Sequence, residues 1–177
     1  MVRRVHRPVV GISPDGRPYA ANDPDLLDWV HLAEYLAIVS ANRRFAIEPL
    51  SRTEMDTYMA EVARVGEGTG VEAPPRSWAE ALRALDAHRP SLAVGEYAAA
   101  GIGFLDDPPI IPGPAKPVWR ALWAGANACM PPVARRLLRL PMPSSLELAR
   151  CRAILRVLDN IGGDPMDLAQ AKLRLAR

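Results

Sequence analysis

The sequence predicts an all-α fold of about six to eight helices joined by proline-rich loops. Three observations lead there. Helix-start signals recur at Asp23-Pro24, at Ser51 with Glu54, and at Ser77 with Glu80. The apolar residues after each signal keep helical spacing, and no segment alternates convincingly as a half-buried strand would. The stretches between are broken by proline and glycine, which end helices instead of continuing them. No internal repeat is found.

At the start of the chain, Pro8 removes a backbone donor and pushes Arg7 away from helical dihedrals, so His6 is expected at a helix end. The residues before it are too few to hold an isolated helix, because nucleation fixes several dihedrals for one hydrogen bond. His6 therefore needs tertiary support. Asp23 and Pro24 read as an N-cap and first helical residue, opening a long helix to about Arg44. Leu26, Leu27, Trp29, Val30, Leu32, Leu36, Ile38 and Val39 lie nearly all round that helix, which predicts a core element with little solvent face. His31 and Glu34 are its polar exceptions.

Ser51 and Glu54 make a capping box, and Leu50 with Met55 a hydrophobic staple, so a second helix should run towards Gly66, with Gly66, Gly68 and Gly70 ending it. Ser77 and Glu80 repeat the pattern before Leu82 and Leu85, and Pro90-Ser91 restarts a helical stretch towards Phe104. Residues 106–117 are proline-rich and read as a loop before a helix from Trp119 to Met130. Pro131-Pro132, Pro141, Pro143 and Gly162-Gly163 then divide the remainder into a short basic helix, a longer one from about Leu146 to Leu158, and a last one after Asp164-Pro165.

Composition narrows the function classes. At 177 residues and 49% hydrophobic, the chain is expected to form one globular domain over residues 1–177. Its 22 basic and 20 acidic residues nearly balance, which argues against nucleic acid as a partner. Cys129 and Cys151 have neither CxxC nor Cys/His spacing and read as buried thiols. No run of about 18 apolar residues announces a membrane span, and no signal-peptide core follows Met1, so a cytoplasmic location is expected.

Few residues carry chemistry by themselves. His31 and Glu34 stand three apart on one helix, the reverse of the Glu-x-x-His order of carboxylate-bridged metal sites, and the other half of such a site is absent. A buried hydrogen-bonded pair is the better reading. His88 precedes Pro90 at a helix end, where the helix dipole explains it. Arg135, Arg136 and Arg139 form a basic face, better read as solvated than as lipid-binding. No Gly-x-Ser-x-Gly elbow occurs, and the Gly66, Gly68, Gly70 run follows a helix and not a strand, unlike a phosphate-binding loop.

The opening segment is more specific. Arg3, His6, Val9 and Gly11 lead into Pro14-Asp15-Gly16-Arg17-Pro18-Tyr19, then Asn22-Asp23-Pro24 and Trp29-Val30-His31. In that order the pieces resemble the catalytic domain of the rubber oxygenase family, which includes latex-clearing proteins and a fungal endoplasmic-reticulum oxygenase. The likeness continues through Pro49-Leu50-Ser51, the Tyr58 to Val65 helix before Gly66, and the proline-rich stretch before Trp119, and so spans most of the chain. The resemblance implies haem b held by one histidine in a His-x-x-Val-x-Gly pattern with an arginine shortly before it, matched by Arg3, His6, Val9 and Gly11. His6 would be the metal ligand and catalytic centre. His31 would line or support the haem pocket. Arg3 and Arg7 lie close enough in sequence to offer donors to haem propionates.

Two departures qualify that picture. Val10 stands where the family often places arginine. The family domain also carries helices before its axial histidine, with distal polar residues, whereas this sequence starts five residues before His6, so a partial domain is expected. The function implied is a haem-dependent oxygenase acting on a hydrophobic substrate, an isoprenoid being the natural candidate. The competing expectation is a non-catalytic helical remnant that binds a partner. Either way, uncovered apolar surface would favour a homo-oligomer or a companion chain.

Overall fold

The computed structural model describes residues 2–13 and 16–162. The architecture is all-α, as the sequence predicts. A short helix α1 (Val2–His6) is followed by strands β1 (Val10–Ile12) and β2 (Pro18–Ala20). Then come α2 (Pro24–Phe45), α3 (Arg52–Thr69), α4 (Trp78–His88), α5 (Glu96–Asp106), α6 (Lys116–Cys129), α7 (Pro132–Leu137) and α8 (Ser145–Gly162). The Pro14-Asp15 corner and the helix expected after Asp164-Pro165 lie outside the described residues.

The two strands are a departure from the sequence reading. Val10 pairs with Ala20, Gly11 with Tyr19 and Ile12 with Pro18, antiparallel. Three residues per strand are too few to show an alternation, which is why no strand was predicted. A Cβ on Gly11 would come 2.8 Å from the Tyr19 ring, so glycine lets that ring lie across the hairpin.

Helix α2 begins at Pro24, but Asp23 does not cap it with its side chain. The Asp23 carboxylate turns back and accepts from the Ala20 N–H at 2.7 Å, tying the helix start to β2. The Asp23 carbonyl accepts from the Leu26 and Leu27 N–H groups. The expectation of a helix buried all round is also corrected: His31, Leu32, Leu36 and Val39 are buried, whereas Leu26, Val30 and Ile38 are exposed. The reason is that α3, α4 and α6 pack against α2 and leave one face open.

The core forms where Leu32, Leu36 and Val39 meet Met55, Met59 and Val62 of α3 and Ala81 and Leu85 of α4. Helix α3 starts with the predicted capping box: the Glu54 N–H donates to Ser51 Oγ, and Glu54 Oε2 accepts from the Ser51 N–H. The helix does not stop at Gly66. It runs to Thr69 and is capped by Gly70 at φ 109°, a left-handed conformation that glycine adopts without a Cβ clash.

In α4, Ser77 Oγ caps the Glu80 N–H, while Glu80 reaches the Arg76 N–H instead of Ser77. Asp56 of α3 accepts from the Trp78 N–H at 2.8 Å, which fixes the α3–α4 angle. After α4, Pro90 supports only a short 3-10 turn over Arg89–Ser91, and α5 starts later, behind Gly95. Residues 107–112 are loop as expected, but a 3-10 turn and Lys116-Pro117 already begin α6. Trp119 Nε1 donates to the Leu105 carbonyl and Trp123 Nε1 to Asp106, holding α5 against α6.

Helices α6 and α8 make the most extensive helix pair. Gly125 is what allows it, because a Cβ there would run into Cys151 Sγ and approach Phe45 Cζ at 3.3 Å. Helix α8 carries a cap in which Ser144 Oγ accepts from the Glu147 N–H and Glu147 Oε2 from the Ser144 N–H. No helix among the described residues is long and apolar enough to cross a membrane.

Candidate functional site

Arg3 and His6 lie on α1, and Arg3 and His31 both rest against α3. Helix α1 has only five residues and is held from outside: Asn22 Nδ2 donates to the Arg3 carbonyl at 3.1 Å. The Arg3 side chain crosses the end of α3, its Nε 3.3 Å from where a Cβ on Gly70 would stand. Leu27 Cδ1 of α2 lies equally close to that point. The missing side chain at Gly70 thus makes the seat on which Arg3 and Leu27 rest.

One turn back along the same seam, His31 of α2 meets Gly66 of α3. A Cβ on Gly66 would fall 2.7 Å from His31 Cε1, so glycine inside a helix, normally a cost in stability, is used here for close approach. The imidazole packs edge-on against Tyr35 with ring centroids 4.6 Å apart, and Tyr35 against Tyr58 at 6.1 Å. His31 is 6% exposed, and its Nε2 is buried with no hydrogen-bond partner among the described residues. Burial pushes its pKa below the ordinary 6.5, opposed by the negative charges of Asp28 and Glu34. Glu34 itself is exposed, so the expected buried His31–Glu34 pair does not form. A carboxylate stays in water unless a partner compensates its desolvation.

His6 closes α1, at the helix end predicted from Pro8. Its carbonyl accepts from the Val9 N–H at 3.0 Å, which continues the turn towards β1. The ring is half-buried, and Nδ1 is shut off from solvent with no partner among the described residues. An unpaired buried nitrogen is uncommon and calls for an explanation such as a site or an unseen partner. Arg7 is exposed. His6 thus offers one unpaired imidazole nitrogen among the described residues and Arg3 a guanidinium, the donor types taken by a cofactor with one imidazole ligand and anionic groups. No cluster of three or more His, Cys, Asp or Glu side chains suited to a bare metal ion occurs among the described residues.

His88, read from sequence as a dipole partner, does more. Its Nε2 lies 2.8 Å from Asp28 Oδ2 and its ring stands edge-on to Trp29 at 5.5 Å, so it joins α4 to α2. The two cysteines are free: Cys151 is buried, as expected, and Cys129 only half-buried. Burial pushes both thiols up, so they stay protonated and neutral at pH 7.

An open depression of about 540 Å³ lies against the hairpin, lined by Val10, Ile12, Tyr19 and Asp23 among others, and two further spaces lie away from α1. A half-open apolar cavity of about 500 Å³ lies between α2, α6, α7 and α8, with walls that include Trp29, Ala37, Phe45, Leu122 and Leu155. Neither Arg3, His6 nor His31 is in its wall. Beside it lies a cleft of about 750 Å³ lined by Arg43 and Arg44 of α2, Arg89 after α4, Arg135 of α7 and Arg152 of α8. Sequence reasoning missed this convergence. The adjacent Arg43-Arg44 pair and the Arg135 face were its local traces, but no local spacing joins residues from four separate segments.

The family model for the catalytic domain of ER-bound oxygenase mpaB/B'/rubber oxygenase matches residues 1–160. No curated protein and no solved structure matches the chain. The matched span begins before His6 and runs through α1, the hairpin and nearly all of α8, so it takes in the Arg3–His31 seam and both cavities. With the all-α architecture and the match over most of its length, the chain belongs to the mpaB/rubber oxygenase catalytic-domain family.

Proposed function

We propose that the protein is a haem-dependent oxygenase acting on a hydrophobic, isoprenoid-type substrate, in which His6 would hold the haem iron. Family membership supports the oxygenase class. The observation that supports His6 is its buried Nδ1, an imidazole nitrogen closed off from solvent and without a hydrogen-bond partner among the described residues. Haem b, when bound, would supply the iron that activates dioxygen. His6 would set the electronic character of that iron through its imidazole. Arg3, seated over Gly70, would direct its guanidinium to a propionate. His31, kept neutral by burial, would brace the seam beneath them without adding a charge.

The test is dioxygen uptake by haem-reconstituted protein given a trisubstituted alkene of isoprenoid type, with the product's oxygen content read by mass spectrometry. Wild type is expected to incorporate oxygen and His6→Ala to fall to background. Incorporation at equal rates in both would remove His6 from the site.

A second reading, a partner-binding helical remnant, is favoured by one observation. Leu26, Val30 and Ile38 stand exposed together on the open face of α2. A homo-oligomer or a companion chain would cover them. Light scattering coupled to gel filtration decides this: a stable monomer counts against it.

A further inference from the structure

We infer that the cleft and the adjoining cavity form one binding site for an anionic amphiphile, a molecule with a carboxylate or phosphate head and an apolar body. The proposal stands on these two spaces and is independent of whether His6 holds haem.

The two spaces share a wall made of Leu36, Leu85, Cys129, Met130, Pro131 and Val133. They are therefore neighbours across a common wall. On one side the surface is apolar, and its two cysteines are neutral thiols. This half-open space of about 500 Å³ is large enough for an apolar ligand, and its walls offer contacts that water does not match.

On the other side five arginines line one cleft in a chain whose net charge is only +2. Among the described residues Asp86 is the one carboxylate in that wall, and it pairs with Arg89 at 3.1 Å. Among the described residues, the wall therefore carries an excess of positive charge. Two of the arginines are positioned by aromatic faces: Arg43 lies over Trp78 at 5.8 Å and Arg152 over Phe45 at 5.7 Å. Arg152 lines the cleft while Phe45 lines the cavity, so this pair stands at the junction of the two. Arg135 is anchored by donating to the Met130 carbonyl at 3.2 Å, at the shared wall.

Guanidinium forks recognise carboxylate and phosphate oxygens by paired hydrogen bonds. Placed at the mouth of an apolar cavity, they select a ligand that presents an anion at one end and hydrocarbon at the other. An uncharged hydrocarbon would fill the cavity and leave the arginines unused. A water-soluble dianion would use the arginines and leave the cavity empty.

The experiment is calorimetric titration of the whole chain with three ligands of matched chain length below their micelle concentrations: a long-chain fatty acid, a prenyl monophosphate and the corresponding prenyl alcohol. Wild type is expected to bind at least one of the two anions at least tenfold more tightly than the alcohol, and the better of the two identifies the head group. Arg43→Gln with Arg152→Gln should remove that preference and leave the alcohol unaffected, while Ala37→Phe should weaken all three. Comparison of the ligands on wild type does not depend on any variant folding. Equal binding of acid, phosphate and alcohol would overturn the proposal, as would no binding by the folded protein. Binding to anionic vesicles without binding of the monomeric ligands would also overturn it, in favour of a surface that docks on lipid.

Discussion

The seam around α1 and the cavity side around α6, α7 and α8 are built by the same device to different ends. At the seam, Gly66 and Gly70 let His31, Leu27 and Arg3 approach α3, and the result is a closed contact on a side of the molecule that carries two imidazole nitrogens, on His6 and His31, with no hydrogen-bond partner among the described residues. On the other side, Gly125 lets α6 and α8 meet, yet α2 and α7 stand off and leave a space of about 500 Å³. Close approach of one helix pair sets the distance of the others. The first region presents imidazole nitrogens at a closed contact, and the second presents a half-open volume and charge with no histidine lining it among the described residues.

The largest effect expected from breaking that contrast is at Gly125. Gly125→Ala overpacks a site closed by Cys151, itself 2% exposed, and by Phe45, and should lower stability by about 2 kcal/mol in urea unfolding. A neutral result would mean that α6 and α8 separate without cost. Gly66→Ala meets the edge of one ring and should cost about 1 kcal/mol. Gly68→Ala sharpens the comparison, since nothing lies within 4 Å of a Cβ there and the change should stabilise α3 by about 0.5 kcal/mol through helix propensity. Opposite signs two residues apart on one helix would identify Gly66 as a contact glycine; equal signs would deny it.

The pH dependence is smaller and belongs to the seam. His31 has its pKa lowered in the folded protein by burial, while the unfolded chain titrates near the ordinary 6.5. Above that value both states are neutral and the group contributes nothing. As pH falls through 6.5 towards the folded value, the unfolded chain takes up the proton first and stability is lost. Urea midpoints measured from pH 7.5 to 5 should fall more steeply for wild type than for His31→Leu. Parallel curves would show that the ring is solvated.

Much of this was legible in the sequence because it is local. The Ser51–Glu54 cap, the proline at the start of α2 and the break at Pro131-Pro132 each need only neighbouring residues, and each stands where its spacing predicts. The likeness at Arg3, His6, Val9 and Gly11 was legible for the same reason. What escaped depends on tertiary approach. Gly66 reads as a terminator until His31 is seen against it, and Asp23 reads as a cap until β2 offers the Ala20 amide. The open face of α2 escaped because periodicity measures how apolar a helix is and not how many neighbours it receives. The arginine cleft draws on four segments that only the packing brings together.

The most direct measurement is a haemin titration followed in the Soret region on wild type, His6→Ala, and the Arg43→Gln, Arg152→Gln variant. Haemin carries carboxylates on an apolar ring, so it probes both regions at once. A saturable Soret shift in wild type and the arginine variant, lost in His6→Ala, is the expected result and places the ligand at the end of α1. A shift that survives His6→Ala and is lost with the arginines would contradict it and move the haem site to the cavity side.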